Sequence, residues 1–329
     1  MLNLVHAMDN EMTSIFLGVV FAASLAVLAK ASHLTIKSIE DLIELTGLSE
    51  ASAGFIILSV MTSIPEMTVA IFSILQGTPG ISIGDILGSN MFNIGIVVGI
   101  MAMIAPLEKV RSDFLVEMVD ILFLSSAIPI LLAVPFFSTY LPTLGHLIGA
   151  ILIGVFIISI YVMVKARKTP PVDLEGKVPD RMNKRSVIAK VVGGTAAVVL
   201  AARFTVWSAS GIAASLGIPP ILVGAKIVAI GTSLPELALD VTAVRRGRIR
   251  LAIGDAIGSN LSNVALILGF VLLASPFAVD LAIFTEILPF LLIITLLLWR
   301  FLTKGGIPKW GGILLIMVYI IFQATLTGL

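Results

Sequence analysis

Two short stretches decide how this chain folds: Met61-Thr62-Ser63-Ile64-Pro65-Glu66 and Gly231-Thr232-Ser233-Leu234-Pro235-Glu236. Each lies inside an apolar run and puts a proline in its middle. Proline has no N–H to donate and its ring crowds the carbonyl one turn back, so a helix should kink or break there. The break frees backbone carbonyls near Met61 and Gly231. In lipid this is tolerated only where protein or a water-filled cavity receives them. Beside the freed carbonyls stand two hydroxyls and one carboxylate. A carboxylate at the bilayer centre costs roughly 3 kcal/mol on insertion scales, so it needs a partner.

The duplication extends well beyond these six residues. At an offset of 170 residues, 31–106 align with 201–276 without a gap, and 20 of 76 positions are identical. The second cluster of identities is Gly84-Asp85-x-x-Gly88-Ser89-Asn90-x-x-Asn93 against Gly254-Asp255-x-x-Gly258-Ser259-Asn260-x-x-Asn263. Such a repeat, interrupted by Gly and Pro in matching places, is the sequence pointer to a transporter's binding site at the bilayer midplane.

Composition points to a membrane. Of 329 residues 58% are hydrophobic and only 12% charged, with a mean hydropathy of +1.11. A soluble domain carries roughly 25% charged residues. A helix needs about 20 apolar residues to cross the hydrocarbon. Runs of that kind fall near 12–31, 51–75, 81–104, 114–136, 141–164, 187–212, 219–244, 251–274, 281–302 and 308–327. The connections after the odd-numbered spans hold Lys37; Lys109 and Arg111; Lys165 through Arg185; Arg245, Arg246, Arg248 and Arg250; and Lys304 and Lys309. Those after spans 2, 4, 6 and 8 hold no Lys or Arg. By the positive-inside rule the odd connections are cytoplasmic and both termini extracellular.

The expected fold is therefore an all-α polytopic membrane protein of ten transmembrane helices. Residues 1–164 form a first five-helix repeat, with its motif region at 51–106. Residues 165–186 form a polar cytoplasmic linker too short for a regulatory domain. Residues 187–329 form the second repeat, with its motif region at 219–276. Five is odd, so the second copy enters the membrane inverted. A net charge of +1 predicts no nucleic-acid partner, and the absence of cysteine excludes disulfides and thiolate metal sites. The oligomeric state is not legible.

Ser89 and Asn93 are four apart, as are Ser259 and Asn263, so each pair shares a helix face. Pooled, the copies supply two carboxylates, several hydroxyls, two amides and the freed carbonyls. All are hard oxygen donors, suited to Na⁺ and to Ca²⁺, which takes about 6–8 oxygens. Glu66 and Glu236 together would neutralise one Ca²⁺. The competing reading for Thr62, Thr232, Ser89 and Ser259 is packing, since small and hydroxyl residues also let membrane helices approach. Gly88 and Gly258 read as packing.

On these residues the chain resembles the cation/calcium antiporter superfamily, in its sodium/calcium exchanger branch. Ile230 through Glu236 and Gly258-Ser259-Asn260 are similar to that family's signature motifs. The resemblance implies that spans 2, 3, 7 and 8 surround the ion site. The implied ligands are Glu66, Thr62, Ser63, Ser89 and Asn93 in one copy, and Glu236, Thr232, Ser233, Ser259 and Asn263 in the other. It implies a secondary active transporter and not an enzyme. The transported ions would be Ca²⁺ and Na⁺, with no cofactor, in the plasma membrane. Spans 1 and 6 would slide or rock in alternating access.

Some positions depart from the family pattern. Met61 stands where Gly usually precedes Thr-Ser. Asp85 and Asp255 replace the more usual Asn, and read either as helix caps, the preferred reading, or as charge near the ion path. Asp240 has Ala70 as its counterpart and, near Arg245 and Arg246, reads as interfacial. Lys226, where relatives tend to have Thr, reads by default as snorkelling to the outer interface. The sharper alternative places its ammonium at a monovalent-cation position. Arg203, near the outer end of span 6, reads as snorkelled. The rival function is a proton-coupled Ca²⁺ or other divalent antiporter of the same fold. An intramembrane aspartyl protease is remote, because Ser82 and Ala252 stand where it needs glycine.

Overall fold

The structure is a computed structural model and describes residues 15–31, 33–34, 37–38, 41, 59–105, 107, 113–130, 141–166, 184–216, 220–245, 249–275 and 281–327. Both termini, the spans as read at 51–58 and 131–136, the linker residues 167–183, and Lys109, Arg111, Arg246 and Arg248 lie outside the described residues.

The described chain is helical, with a single isolated β-bridge between Leu107 and Ile307. Among the described residues six helices are long and apolar enough to cross a membrane: Pro79–Ile104, Leu144–Tyr161, Arg185–Ala214, Ala252–Ala274, Glu286–Thr303 and Lys309–Leu326. Ile15–Ala31 and Ile64–Leu75 are shorter apolar helices. Large apolar side chains cover the outside, among them Ile15, Leu124, Ile158, Val192 and Trp310. On a soluble protein a surface this rich in large hydrophobics would drive association. Facing lipid it carries no such penalty.

Burial separates the helices into two classes. In Pro79–Ile104 and Ala252–Ala274 the apolar window is 83% buried, against 25% in Arg185–Ala214 and 33% in Lys309–Leu326. The first pair carries the repeated Gly-Asp-x-x-Gly-Ser-Asn motif, so the membrane helices that hold these polar side chains stand at the centre. Lipid exposure explains the placement, because hydrocarbon satisfies none of their polar side chains.

The centre is built reciprocally. Helix Pro79–Phe92 packs against Pro220–Val223, the π-helical turn Gly224–Val228 and helix Ala229–Thr232. Helix Ile249–Leu261 packs against Ser59–Thr62. Each copy's second motif thus lies on the other copy's first. Gly88 makes one of these approaches possible, since a Cβ there would stand 2.5 Å from the Ala225 carbonyl oxygen and 2.8 Å from the Ala229 Cβ. This agrees with its reading as a packing residue. Gly77, at φ 71°, takes the left-handed conformation that ends Ile64–Leu75 and turns the chain into Pro79.

Candidate cation site

The expected break at each proline is present. Helix Ser59–Thr62 ends and Ile64–Leu75 begins around Ser63, whose backbone sits at φ −84°, ψ 3°. Ala229–Thr232 and Leu234–Arg245 are divided at Ser233, at φ −89°, ψ 3°. The second motif also loses regular α-geometry in both copies, in π-helical turns at Asn93–Val98 and Ser262–Leu268. Such turns recur at functional sites because they re-aim side chains and loosen the backbone ladder.

These irregularities gather polar side chains where water does not reach. Thr62, Glu66, Ser89, Asn93, Thr232 and Ser233 are fully buried or within 3% of it, as are Ser63, Glu236, Ser259 and Asn263. Contacts cross between the copies. The Thr62 and Ser259 hydroxyls are 2.6 Å apart. Thr232 Oγ1 donates to Asp85 Oδ1 at 2.9 Å and lies 3.3 Å from Ser89 Oγ. Asn90 Nδ2 donates to the Asn260 carbonyl at 3.1 Å.

Many of the gathered atoms have no protein partner. Both carboxylate oxygens of Glu66 and of Glu236, both amide atoms of Asn93 and of Asn263, and the hydroxyls of Ser63 and Ser233 lack a hydrogen bond. Thr232 and Ser233 stand beside Glu66 without reaching ordinary hydrogen-bond geometry. Burying a polar group unpaired costs about 1–3 kcal/mol, and more for a charge. A concentration of such atoms in one place fits a site meant for a cation. Among the described residues no three Asp, Glu, His or Cys side chains converge as a metal-holding group. The donor set is therefore mixed, with carboxylates in the minority among hydroxyls, amides and backbone.

Three aspartates stand differently from their preferred sequence readings. Asp85 lies in the middle of Pro79–Phe92 and Asp255 in the middle of Ile249–Leu261, far from the N-termini that a cap would serve. Both are fully buried. Asp85 meets Thr232 of the other copy and Ser89 of its own. Asp255 has Thr62 and Ser259 beside it in the same relation, without ordinary hydrogen-bond geometry. Asp240 is not interfacial: it is 1% exposed and sits against Asp255, within electrostatic reach of Glu236. Helical phase turns it inward although Arg245 on the same helix is exposed. Glu236 is also within reach of Glu66 and Asp255.

Lys226 takes no place among these groups. It is partly exposed in the π-helical turn Gly224–Val228, and its ammonium donates to the Gln323 carbonyl at 3.4 Å on helix Lys309–Thr327. Arg203 is exposed with its guanidinium 5.9 Å above the Phe72 ring, a cation–π contact. Asn90 and Asn260 are buried and carried no role in the sequence reading; the Asn90 side chain ties the copies through the Asn260 carbonyl, while the Asn260 amide bonds to Ala256 in its own helix. Their recurrence in both copies was the only signal of them.

Comparison with known proteins gives this geometry a family. The family model described as sodium/calcium exchanger protein matches residues 16–165 and 186–328. The chain is 30% identical to the sodium/calcium exchanger MaX1 of Methanosarcina acetivorans, over 95% of this chain and 97% of that one. It is 27% identical to the inner membrane protein YrbG of Escherichia coli, over 85% and 87%. Solved structures of the sodium-calcium exchanger NCX_Mj superpose with a TM-score of 0.65 at 26% identity, covering 95% of this chain and 99% of theirs. The chain belongs to the sodium/calcium exchanger family.

Proposed function

We propose that this protein is a plasma-membrane antiporter that exchanges Ca²⁺ for Na⁺ at the site just described. The observation that carries the reading is the set of buried, unpartnered oxygens drawn from both motif copies around Glu66 and Glu236. In this reading the chain has ten spans in two inverted repeats, 1–164 and 187–329, joined by the cytoplasmic linker 165–186. Both termini lie outside. The ligands are Glu66, Thr62, Ser63, Ser89 and Asn93 with Glu236, Thr232, Ser233, Ser259 and Asn263. The family supports the ion pair: MaX1 is a sodium/calcium exchanger, and the similar NCX_Mj structures were soaked with Na⁺ together with Sr²⁺ or Ca²⁺.

The physics of exchange follows from the charge. Two bare carboxylates buried away from water resist moving through the low-dielectric centre. Loading either one Ca²⁺ or several Na⁺ cancels that charge, so the loaded protein changes its facing and the bare one does not. This forbids leak and makes exchange obligatory. The sliding of spans 1 and 6 past the rest is an analogy from the family.

A proton-coupled antiporter is the second reading, and one observation favours it. Asp85, Asp240 and Asp255 add three buried carboxylates to the two glutamates, more negative charge than one Ca²⁺ cancels.

The test is uptake of radiolabelled Ca²⁺ into proteoliposomes loaded with Na⁺, with K⁺, or carrying a pH gradient. Uptake driven by the Na⁺ gradient and abolished by Glu66→Gln supports the first reading. Uptake driven only by the pH gradient transfers the protein to the second. No uptake under any gradient overturns both.

A further inference from the structure

A cavity of about 670 Å³ lies away from the cation site, between the C-terminal end of the first apolar helix and the N-terminal part of helix Lys184–Leu216. Its lining divides into two chemistries. Val27, Ala31, Leu34 and Ala197 make an apolar wall, while among the described residues Lys30, Lys37 and Lys190 bring three positive charges against the carboxylate of Asp41. The spacing is that of two helix faces. Lys30, Leu34, Lys37 and Asp41 recur at intervals of three and four, and so do Lys190, Gly193, Gly194 and Ala197. Among the described residues none of the three lysines is in an ion pair. At Gly193 an added Cβ would meet nothing within 4 Å, so the wall is open there.

We propose that this cavity binds the phosphate headgroup of an anionic membrane phospholipid, with an acyl chain along the apolar wall. Uncompensated ammonium groups above an apolar slot match that amphiphile, and basic pockets between membrane helices on the cytoplasmic side bind such headgroups. Leu34, on the wall, and Val192, beside the glycines, are more than half exposed, so the slot opens onto lipid-facing surface. The repeat supplies an independent argument. At the 170-residue offset Lys30, Lys37 and Lys190 correspond to Leu200, Trp207 and Val20. Only one end of the molecule carries the charges, the end that the Lys/Arg distribution assigns to the cytoplasm. The basic triad is therefore no inheritance of the duplicated fold. The proposal rests on the membrane orientation in the reading above, and not on the transported ions.

Binding is measured by native mass spectrometry on the full chain, released from micelles with phosphatidylglycerol or phosphatidylcholine and no ion gradient. Phosphatidylglycerol should be retained preferentially. Each of Lys30→Gln, Lys37→Gln and Lys190→Gln should lower its affinity about 5-fold, since a basic residue near the surface contributes about 1 kcal/mol. Lys309→Gln, a basic residue on the same side outside the cavity, should leave it unchanged. Gly193→Leu fills the slot without harming the helix and should also expel the lipid. Equal retention of phosphatidylcholine overturns the proposal, as does an equal loss in Lys309→Gln. Inorganic phosphate held by the same lysines as tightly as the lipid assigns the site to a soluble anion and overturns the lipid. Because no transport is measured, absence of Ca²⁺ exchange leaves this result standing.

Discussion

The two motif copies are close to each other in backbone and unlike in charge. Each breaks at the serine of Thr-Ser-x-Pro-Glu with nearly the same dihedral angles. Each passes into a π-helical turn around the asparagine of its second motif. Each aspartate sits beside the serine of its own copy and the threonine of the other. Yet the second copy carries Asp240 where the first carries Ala70, so the second copy buries three carboxylates, Glu236, Asp240 and Asp255, and the first copy two, Glu66 and Asp85. Thr62 closes on Ser259 at 2.6 Å, whereas Thr232 stands 3.3 Å from Ser89 and donates instead to Asp85. Duplication conserved the irregular backbone that makes a site, and substitution then biased its electrostatics toward one copy.

The largest expected effect ignores that bias. Glu66→Gln and Glu236→Gln should each lower gradient-driven Ca²⁺ uptake at least about 100-fold, since either removes a charge at the ion. A difference of more than about 10-fold between the two, at equal amounts of folded protein by size-exclusion chromatography, would break the pseudo-equivalence of the copies. Asp240 comes next. A carboxylate about 10 Å from a divalent cation is worth about 3 kcal/mol at an effective dielectric constant of about 20. Asp240→Ala, which makes the second copy resemble the first, should thus weaken apparent Ca²⁺ affinity about 100-fold, read from the concentration dependence of uptake. The reverse change, Ala70→Asp, puts a carboxylate against the apolar cluster that includes Ile83 and Leu87, and should lower the thermal unfolding temperature in detergent.

The asparagines sharpen the comparison at a smaller scale. Asn90 ties the copies through the Asn260 carbonyl, while Asn260 Nδ2 bonds only to Ala256 in its own helix. A neutral hydrogen bond contributes about 1 kcal/mol, so Asn90→Ala should lower thermal stability more than Asn260→Ala. Equal losses would deny the cross-tie any special weight. The smallest effect is expected at Lys226. Its ammonium rests on the Gln323 carbonyl, so Lys226→Thr should leave the Na⁺ dependence and electrogenicity of uptake unchanged. A change in either would return the lysine to the ion path.

Much of the site was legible because local rules produce it. A proline breaks a helix whatever surrounds it, so Pro65 and Pro235 announced the interruptions, and the hydroxyls and carboxylates beside them announced polar chemistry. The aspartates were legible only as residues. An Asp after Gly at the start of an apolar run suits a helix cap as well as a charge in a helix centre. Where the helix began, at Pro79 in one case and Ile249 in the other, decided between them. Asp240 was misread because the arginines near it in sequence suggested an interface. Four residues after Glu236, it shares the face of that glutamate, and that face turns inward. Lys226 was equally ambiguous, since a lysine two turns from a site reaches either toward it or away.

The sequence by itself determined that the chain is a membrane protein, that it contains one motif region twice, and that each copy interrupts its helices among oxygen donors. Composition, offset and proline positions are one-dimensional properties, and the physics that reads them acts over a few residues. Tertiary structure alone decided which copy meets which: Thr62 with Ser259, Asp85 with Thr232, Asn90 with Asn260. It also decided that Asp240 is buried against Asp255 and Lys226 faces helix Lys309–Thr327. The three pairings between the copies join residues more than a hundred positions apart. They depend on how helices pack and rotate, and a rotation of one residue, about 100° of helix phase, separates a ligand from a lipid contact.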